Sequence, residues 1–425
     1  MAVLPEYTFS SIPSYSPIPR HGEERIEYTP RPEATVPEGN FIKAWKHATL
    51  ILPNQGETNR LPTYGQNSVV SGELHLSTPK DVLRIVLKLE GRMYLSIAEG
   101  PSGSTTSNTV SSKTILWSQE GSNSFLNTCP TVLPFCLQFP STFSNDGRLY
   151  KLPPSFEASF LGISALIAQC TYCLRLSITM RRRTRLGSWK TSKSYTLFLD
   201  YRPRARARHR LSSRDSVFAG VKTEPADWLQ LISTMGVRSN SKVESIDCHF
   251  VLPSASTFAL TDAVPFHIQL HGSLTSLREL LPPACPLLVP QPLFGSRPIG
   301  SSTRTLPIQV LITRQVVVEV NERRSLKNTI LGVGRIWPLP PPITRPEDDP
   351  LAEISVGWEG QVQCGSGAIA PGFSTGNLLV KDYIMLILTP PNSRTSPLRE
   401  LQIVHPIRLV TDPWVDTDTL HPQDT

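Results

Sequence analysis

VVSGELHLSTPKDVLRIVLKLEGRMYL, Val69 to Leu95, is the stretch whose reading decides the fold. In its first part Val70, Gly72, Leu74 and Leu76 fall on one side of an extended chain, and Ser71, Glu73, His75 and Ser77 on the other. A period of two marks a half-buried β-strand. Thr78-Pro79-Lys80-Asp81 reads as a turn, because Pro and Asp preset turn geometry. In the second part Leu83, Ile85, Leu87 and Leu89 share a face, opposite Arg84, Lys88, Glu90 and Arg92 with Val82 and Val86. Two alternating strands around a short turn predict an antiparallel pair with one apolar face. Such a face needs a second sheet to cover it.

The rest of the composition agrees with an all-β chain. The 425 residues suffice for more than one domain, and 40 prolines with 18% charged residues argue against a helical bundle. No apolar run is long enough, at about 18 residues, to cross a membrane as a helix. The N-terminus lacks the basic-then-apolar order of a signal peptide. Seven cysteines without framework spacing suit a reducing cytosol. The net charge of +7 is mild and matters where it is concentrated.

Taken in order, residues 1–40 are Pro-rich and poor in apolar residues, and are expected to be a disordered tail. Phe41 to Leu52 is the first strand candidate. Gly100 to Lys113, almost all Ser, Thr and Gly, reads as a flexible hairpin loop, followed by a short strand at Thr114 to Trp117. Phe135, Leu137 and Phe139 alternate, and Leu152-Pro153-Pro154-Ser155-Phe156 is an extended bend that no central strand could contain. Thr171 to Met180 is the cleanest strand, with Tyr172, Leu174, Leu176, Ile178 and Met180 facing in. Residues 41–205 therefore read as one β-sandwich. A linker over 206–244 follows, in which Pro225 to Ile232 suits one short helix. The plan then repeats over 245–414. Phe266, Ile268 and Leu270 alternate, as do Ile308, Val310 and Ile312, and Tyr383 to Leu388 reads as a buried central strand. Long Pro-rich loops are expected over 282–304 and 338–350, and residues 415–425 are a tail. The reading is two antiparallel β-sandwiches in tandem.

Four landmarks give the chain a resemblance to a family. They are the strand pair at 70–91; Leu133-Pro134-Phe135 with the later Leu152-Pro153-Pro154-Ser155-Phe156; Tyr201-Arg202-Pro203-Arg204; and PGFSTGNLLVKDYIMLILTPP at 371–391 with HPIRLVTDPW at 405–414. In this order they resemble the arrestin-like proteins of fungi, the α-arrestins or arrestin-related trafficking adaptors, over roughly 41–414. The resemblance implies two arrestin-like sandwiches, no cofactor and no small-molecule substrate. It also implies a cytoplasmic, non-enzymatic adaptor peripheral to the plasma membrane or endosomes. Such an adaptor binds cytoplasmic tails of membrane proteins and couples them to ubiquitylation and endocytosis. The alternatives are an arrestin-fold subunit of a vesicle-sorting coat, similar to that of retromer, and an all-β enzyme with an unrecognised site.

The family's adaptors recruit a HECT-type ubiquitin ligase through Pro-Pro-x-Tyr, which the Pro-Pro pairs at 153–154, 282–283, 341–342 and 390–391 all lack. The tail offers a related form. Leu4-Pro5-Glu6-Tyr7 and Ile12-Pro13-Ser14-Tyr15 are both apolar-Pro-x-Tyr, the polyproline-II-plus-Tyr pattern that WW domains seat. Leu4, Pro5, Tyr7, Ile12, Pro13 and Tyr15 are the candidate ligase contacts. In a third copy, Leu61-Pro62-Thr63-Tyr64, the Tyr is expected to be packed.

No catalytic motif stands out, and there is no His-Glu-x-x-His pair. Cys170 and Cys173, three apart on a strand, point to opposite faces and read as core and rim residues. His267 and His271 share a strand face but stand too far apart for a shared metal, so no metal site is expected. Arg181, Arg182, Arg183 and Arg185, with Lys190 and Lys193, form a basic hairpin loop. Arg202, Arg204, Arg206, Arg208 and Arg210 recur at every second residue. Both stretches read either as solvated surface or as contacts for anionic lipid or phosphate, which arginine forks suit. Nucleic acid is not expected, because aromatic interleaving is thin. Val221-Lys222-Thr223-Glu224 has the apolar-Lys-x-Glu spacing of a modifier-conjugation site, which marks Lys222.

Overall fold

The computed structural model describes residues 39–414 apart from 57–58, 99–102, 120–127, 163–164, 185–186, 208–209, 212–216, 240, 283–305, 341–352 and 366–369. Strands hold 66% of the described residues and helices 6%, which meets the all-β expectation.

The first half opens with β1 (Gly39–Ala44), β2 (Ala48–Gln55), β3 (Thr63–Tyr64), β4 (Val69–Leu76), β5 (Val82–Ala98) and β6 (Gly103–Ser118). It continues with β7 (Val132–Gln138), β8 (Thr142–Asn145), β9 (Arg148–Lys151), β10 (Phe156–Phe160), β11 (Ala165–Thr184) and β12 (Gly187–Tyr201). One sheet has the order β1-β2-β4-β7 and the facing one β3-β12-β11-β5-β6, with β10 beside β11. The Pro79–Asp81 turn thus does not close a hairpin. It carries the chain from β4 in one sheet to β5 in the other, so the expected pairing of these two strands is corrected. The alternation itself holds: Leu74 and Leu76 point across the sandwich toward Leu87 and Leu89 in one shared core. A face that needs a cover finds it in the next strand of the chain.

Two further expectations are corrected. Gly103–Ser118 is a 16-residue edge strand, not a loop. Its backbone is held by the ladder to β5, as in Ser112 opposite Leu89 and Val110 opposite Gly91. Its Ser and Thr side chains mostly face solvent, so no apolar alternation announces it. The basic stretch after Met180 is also paired, with Arg181 opposite Lys190 and Arg182 opposite Trp189, so β11 and β12 project as a ribbon.

The second half begins with a short helix α1 (Val217–Thr223) and then β13 (Trp228–Met235), β14 (Ile246–Pro253), β15 (Thr257–Ala259), β16 (Val264–Ser273) and α2 (Leu274–Leu280). It ends with β17 (Ile308–Val320), β18 (Arg323–Val333), β19 (Arg335–Pro338), β20 (Glu353–Val362), β21 (Phe373–Ser374), β22 (Leu378–Leu388) and β23 (Leu401–Val410). The sheets are β13-β14-β16-β20-β19 and β15-β23-β22-β17-β18, with β21 beside β22. The helix expected at 225–232 is instead a single 3-10 turn at Pro225–Asp227 running into β13, while the true helix lies just before it. WLQLISTM alternates, with Gln230, Ile232 and Thr234 outward, and pairs with β14. The strand therefore begins inside the stretch read as linker. Helix α2 was not expected; Ser273 caps it, accepting from the Ser276 N–H, and Leu277 and Leu280 are buried.

The two sheet pairs meet through their longest strands. Along β5 and β11 the same inward face first serves the first core (Leu87, Leu89, Leu174, Leu176). It then serves a separate cluster of Met93, Leu95, Ile97, Leu166, Ala168 and Cys170. That cluster packs on Val316, Val318, Val320, Leu378 and Val380 of β17 and β22, whose other ends fill the second core. Gly91 marks the crossing point: a Cβ there would lie 2.7 Å from the Tyr172 ring. A polar contact adds to the joint, where buried Asn145 Nδ2 donates to the Thr375 carbonyl at 3.3 Å.

Candidate functional site

At one side of this joint lies a cleft of about 770 Å³. The Leu152–Ser155 bend shapes its first wall. Tyr172 Oη donates to the Pro153 carbonyl, the Ser155 N–H donates to the Tyr201 carbonyl, and Ser155 Oγ accepts from the Tyr201 N–H at 2.8 Å. These bonds turn the chain into β10, whose one neighbour among the described residues is β11. The other edge of β10 is unpaired there, and β10, Phe198 and Leu61 line the cleft. Phe198 and Leu61 are 56% and 38% exposed, so apolar surface faces solvent at the mouth.

Charge in the cleft is mostly tied down. Arg202 Nη2 is 2.6 Å from Asp200 Oδ2. From the second half comes Arg314, whose Nε donates to Asp382 Oδ1 at 2.7 Å and whose Nη2 donates to Oδ2 at 3.1 Å. The pair is buried, with side chains 6% and 1% exposed. Glu157 accepts from Gln169 Nε2 at 3.1 Å, and Arg60 is exposed. Burial pushes the Cys170 thiol up to about 12, so it stays protonated and is no nucleophile at neutral pH. The cleft combines apolar side chains, fixed ion pairs and a strand edge with no partner strand among the described residues.

The other sequence-derived candidates fall in different places. Leu4, Pro5, Tyr7, Ile12, Pro13, Tyr15 and Arg185 lie outside the described residues, as does the side chain of Arg183. Arg181, Arg182, Lys190 and Lys193 are on the projecting ribbon, remote in sequence register from the cleft, and Arg181 donates to Gln119 Oε1 at 3.4 Å. Lys222 is exposed in the last turn of α1, not in an open linker. Of the alternating arginines, Arg208 lies outside the described residues and Arg202 pairs with Asp200. Arg204 makes a two-pronged pair with Asp412 at 2.7 and 3.0 Å, Arg206 bridges Asp412 through the backbone, and Arg210 sits over the Trp414 ring. Cys170 is buried and Cys173 half-buried, on opposite faces as expected. Tyr64 is packed, 5.9 Å from Phe139 between ring centres. His271 neighbours His249, with ring centroids 4.9 Å apart, while His267 is buried. No group of three metal-ligating side chains forms among the described residues, and no helix among them is long and apolar enough to cross a membrane.

The sequence reading missed Arg314 and Asp382, though a signal was present. Arg314 shares the parity of Ile312 and Val316, and Asp382 that of Val380 and Ile384. Opposite charges on the apolar faces of two strands announce a buried pair. Neither the protein-family models nor the curated proteins contain a match to this chain.

Proposed function

We propose that this chain is a non-enzymatic adaptor of the arrestin-like kind. It holds an extended cytoplasmic segment of a membrane protein in the cleft between its sheet pairs and links that protein to ubiquitylation and endocytosis. The observation that carries this reading is the edge of β10 that has no partner strand among the described residues, which opens into the cleft beside exposed Leu61 and Phe198. A strand edge offers main-chain hydrogen bonds to any extended segment, and flanking pockets select its side chains. The tail motifs around Tyr7 and Tyr15 supply a separate contact for a WW-domain ligase, and two weak copies in one tail raise its effective concentration.

The test is proximity labelling in cells with the full chain, a Leu61→Glu/Phe198→Glu variant and a Tyr7→Ala/Tyr15→Ala variant. The expected result is membrane proteins plus a ubiquitin ligase for the parent. The cleft variant loses the membrane proteins and the tail variant loses the ligase. Labelling of vesicle-coat subunits alone, unchanged in both variants, overturns the reading.

A further inference from the structure

We propose that the outer face of the sheet containing β5, β6, β11 and β12 docks flat on an anionic lipid bilayer. The register of the ladders assembles this face from strands far apart in the chain. One row across it runs Lys113, Lys88, Arg175, Thr196; another runs Ser118, Arg84, Thr179, Ser192; beyond them Arg181 stands opposite Lys190. Between these rows lies Ile115, Val86, Ser177, Ser194. Lys113, Arg84 and Lys190 are exposed, and Lys88 and Arg175 are 40% and 37% exposed at their side chains.

The carboxylates of the face do not cancel this charge. Glu90 is the one acid in the next row, and it is already shared among Arg175 at 3.1 Å, Arg92 at 3.6 Å and Lys88 at 4.0 Å. Glu157 and Asp200 lie farther along, toward the cleft, bonded to Gln169 and Arg202. In the turn at the opposite end of β5, Asp81 is preceded by Lys80. The rows from Lys113 to Lys190 therefore present cations among Ser and Thr, with no carboxylate of their own among the described residues.

The layout selects the partner. A phosphorylated peptide is a line of charge and wants a track. Here the cations spread in two dimensions: neighbouring strands stand about 4.8 Å apart, and Arg84 to Arg92 covers about 27 Å along β5. Short hydroxyl side chains, among them Ser177, Thr179, Ser192 and Ser194, stand between them. Exposed Ile115 stands between the cationic rows on the same face, while Phe198 lies in the Glu90 row and belongs to the cleft. Cations that meet lipid phosphates, with an apolar side chain between them that enters the headgroup layer, match a bilayer surface. The basic ribbon end is one corner of this larger face.

The experiment is co-sedimentation of the full chain with phosphatidylcholine vesicles, with and without phosphatidylserine, at several salt concentrations. Three chains are compared: the parent, Arg84→Gln/Lys88→Gln/Lys113→Gln, and a charge-matched control, Lys43→Gln/Lys46→Gln/Arg324→Gln, whose residues lie off this face. The expected result is parent binding that requires phosphatidylserine and weakens with salt. The face variant loses about a hundredfold, at about fivefold per cation, and the control stays close to the parent. Equal loss in both variants means a response to net charge alone and overturns the proposal. So does binding of single-stranded RNA through the same residues without vesicle binding. The adaptor reading is separate: it can fail in cells while this face binds vesicles, and the reverse.

Discussion

Arg314 of β17 stands directly opposite Asp382 of β22, and both of its forked hydrogen bonds to the carboxylate lie inside the protein. The pair sits where the inward face of the sheet passes from Ile312 and Ile384, in the second core, to Val316 and Val380, in the joint. A charge left alone in such a place is expensive, while an apolar pair of similar volume is not. Arg314→Met should cost about 3–5 kcal/mol in urea unfolding, and Arg314→Met/Asp382→Leu should recover most of it. Equal losses for the single and double variants would remove the pair from the account.

Gly91 faces Tyr172 at the head of the joint. A Cβ there would stand 2.5 Å from Thr109 Oγ1 as well as 2.7 Å from the Tyr172 ring. The ring is fixed by its bond to Pro153 and by the edge-on Phe139, so it has little room to yield. Gly91→Ala should lower stability by about 1–3 kcal/mol, read as a drop in Tm by calorimetry.

Acid should weaken the fold through His267. Burial lowers its pKa from 6.5, partly offset by Glu359 and a hydrogen bond with the Trp358 backbone. Burial likewise lowers His405, and burial with the His271 charge lowers His249. A histidine whose pKa falls on folding binds protons more readily when unfolded. Its contribution is therefore intact above pH 6.5 and is lost as pH falls through that value toward the folded pKa. Urea midpoints measured from pH 8 to pH 5 should fall on the acid side, and His267→Gln should flatten the slope.

The segment after Tyr201 is pinned at Asp412. The Ala205 N–H donates to Thr411 Oγ1 at 2.8 Å, and the Ala207 N–H donates to the Asp412 carbonyl at 3.1 Å. The Arg204–Asp412 pair is half-exposed and contributes no more than about 1 kcal/mol. Thr411→Ala/Asp412→Ala should leave global stability nearly unchanged but speed amide exchange at Ala205. Unchanged exchange there would mean that the backbone alone holds the segment.

Period two made the buried faces legible. Tyr172, Leu174, Leu176 and Ile178 are all buried, and the same holds for Phe266, Ile268 and Leu270. Pairing was less legible, because a short turn such as Pro79–Asp81 can close a hairpin or bridge two sheets with the same side-chain pattern. The edge strand β6 was hidden because Ser and Thr carry its backbone pairing without an apolar stripe. β13 was misread because eight residues opening with Pro225 satisfy helix-start rules before the alternation through Thr234 becomes visible. The basic face was legible only in pieces: Arg84 and Lys88 share a strand face and Arg181 marks the ribbon, but only strand register brings Lys113 and Arg175 into the same rows. The cleft depends on the joint, which no local pattern encodes.

Strands β5 and β11 spend half their inward side chains on one core and half on the joint, and β17 and β22 do the same from the other half. A severed first half would carry Met93, Leu95, Ile97 and Leu166 as a bare apolar strip on its longest strands. Expressed alone, each half is a sticky fragment rather than a portable module. The joint thus ties the folding of the two halves together, and the tandem plan of the sequence is not a licence to exchange its parts.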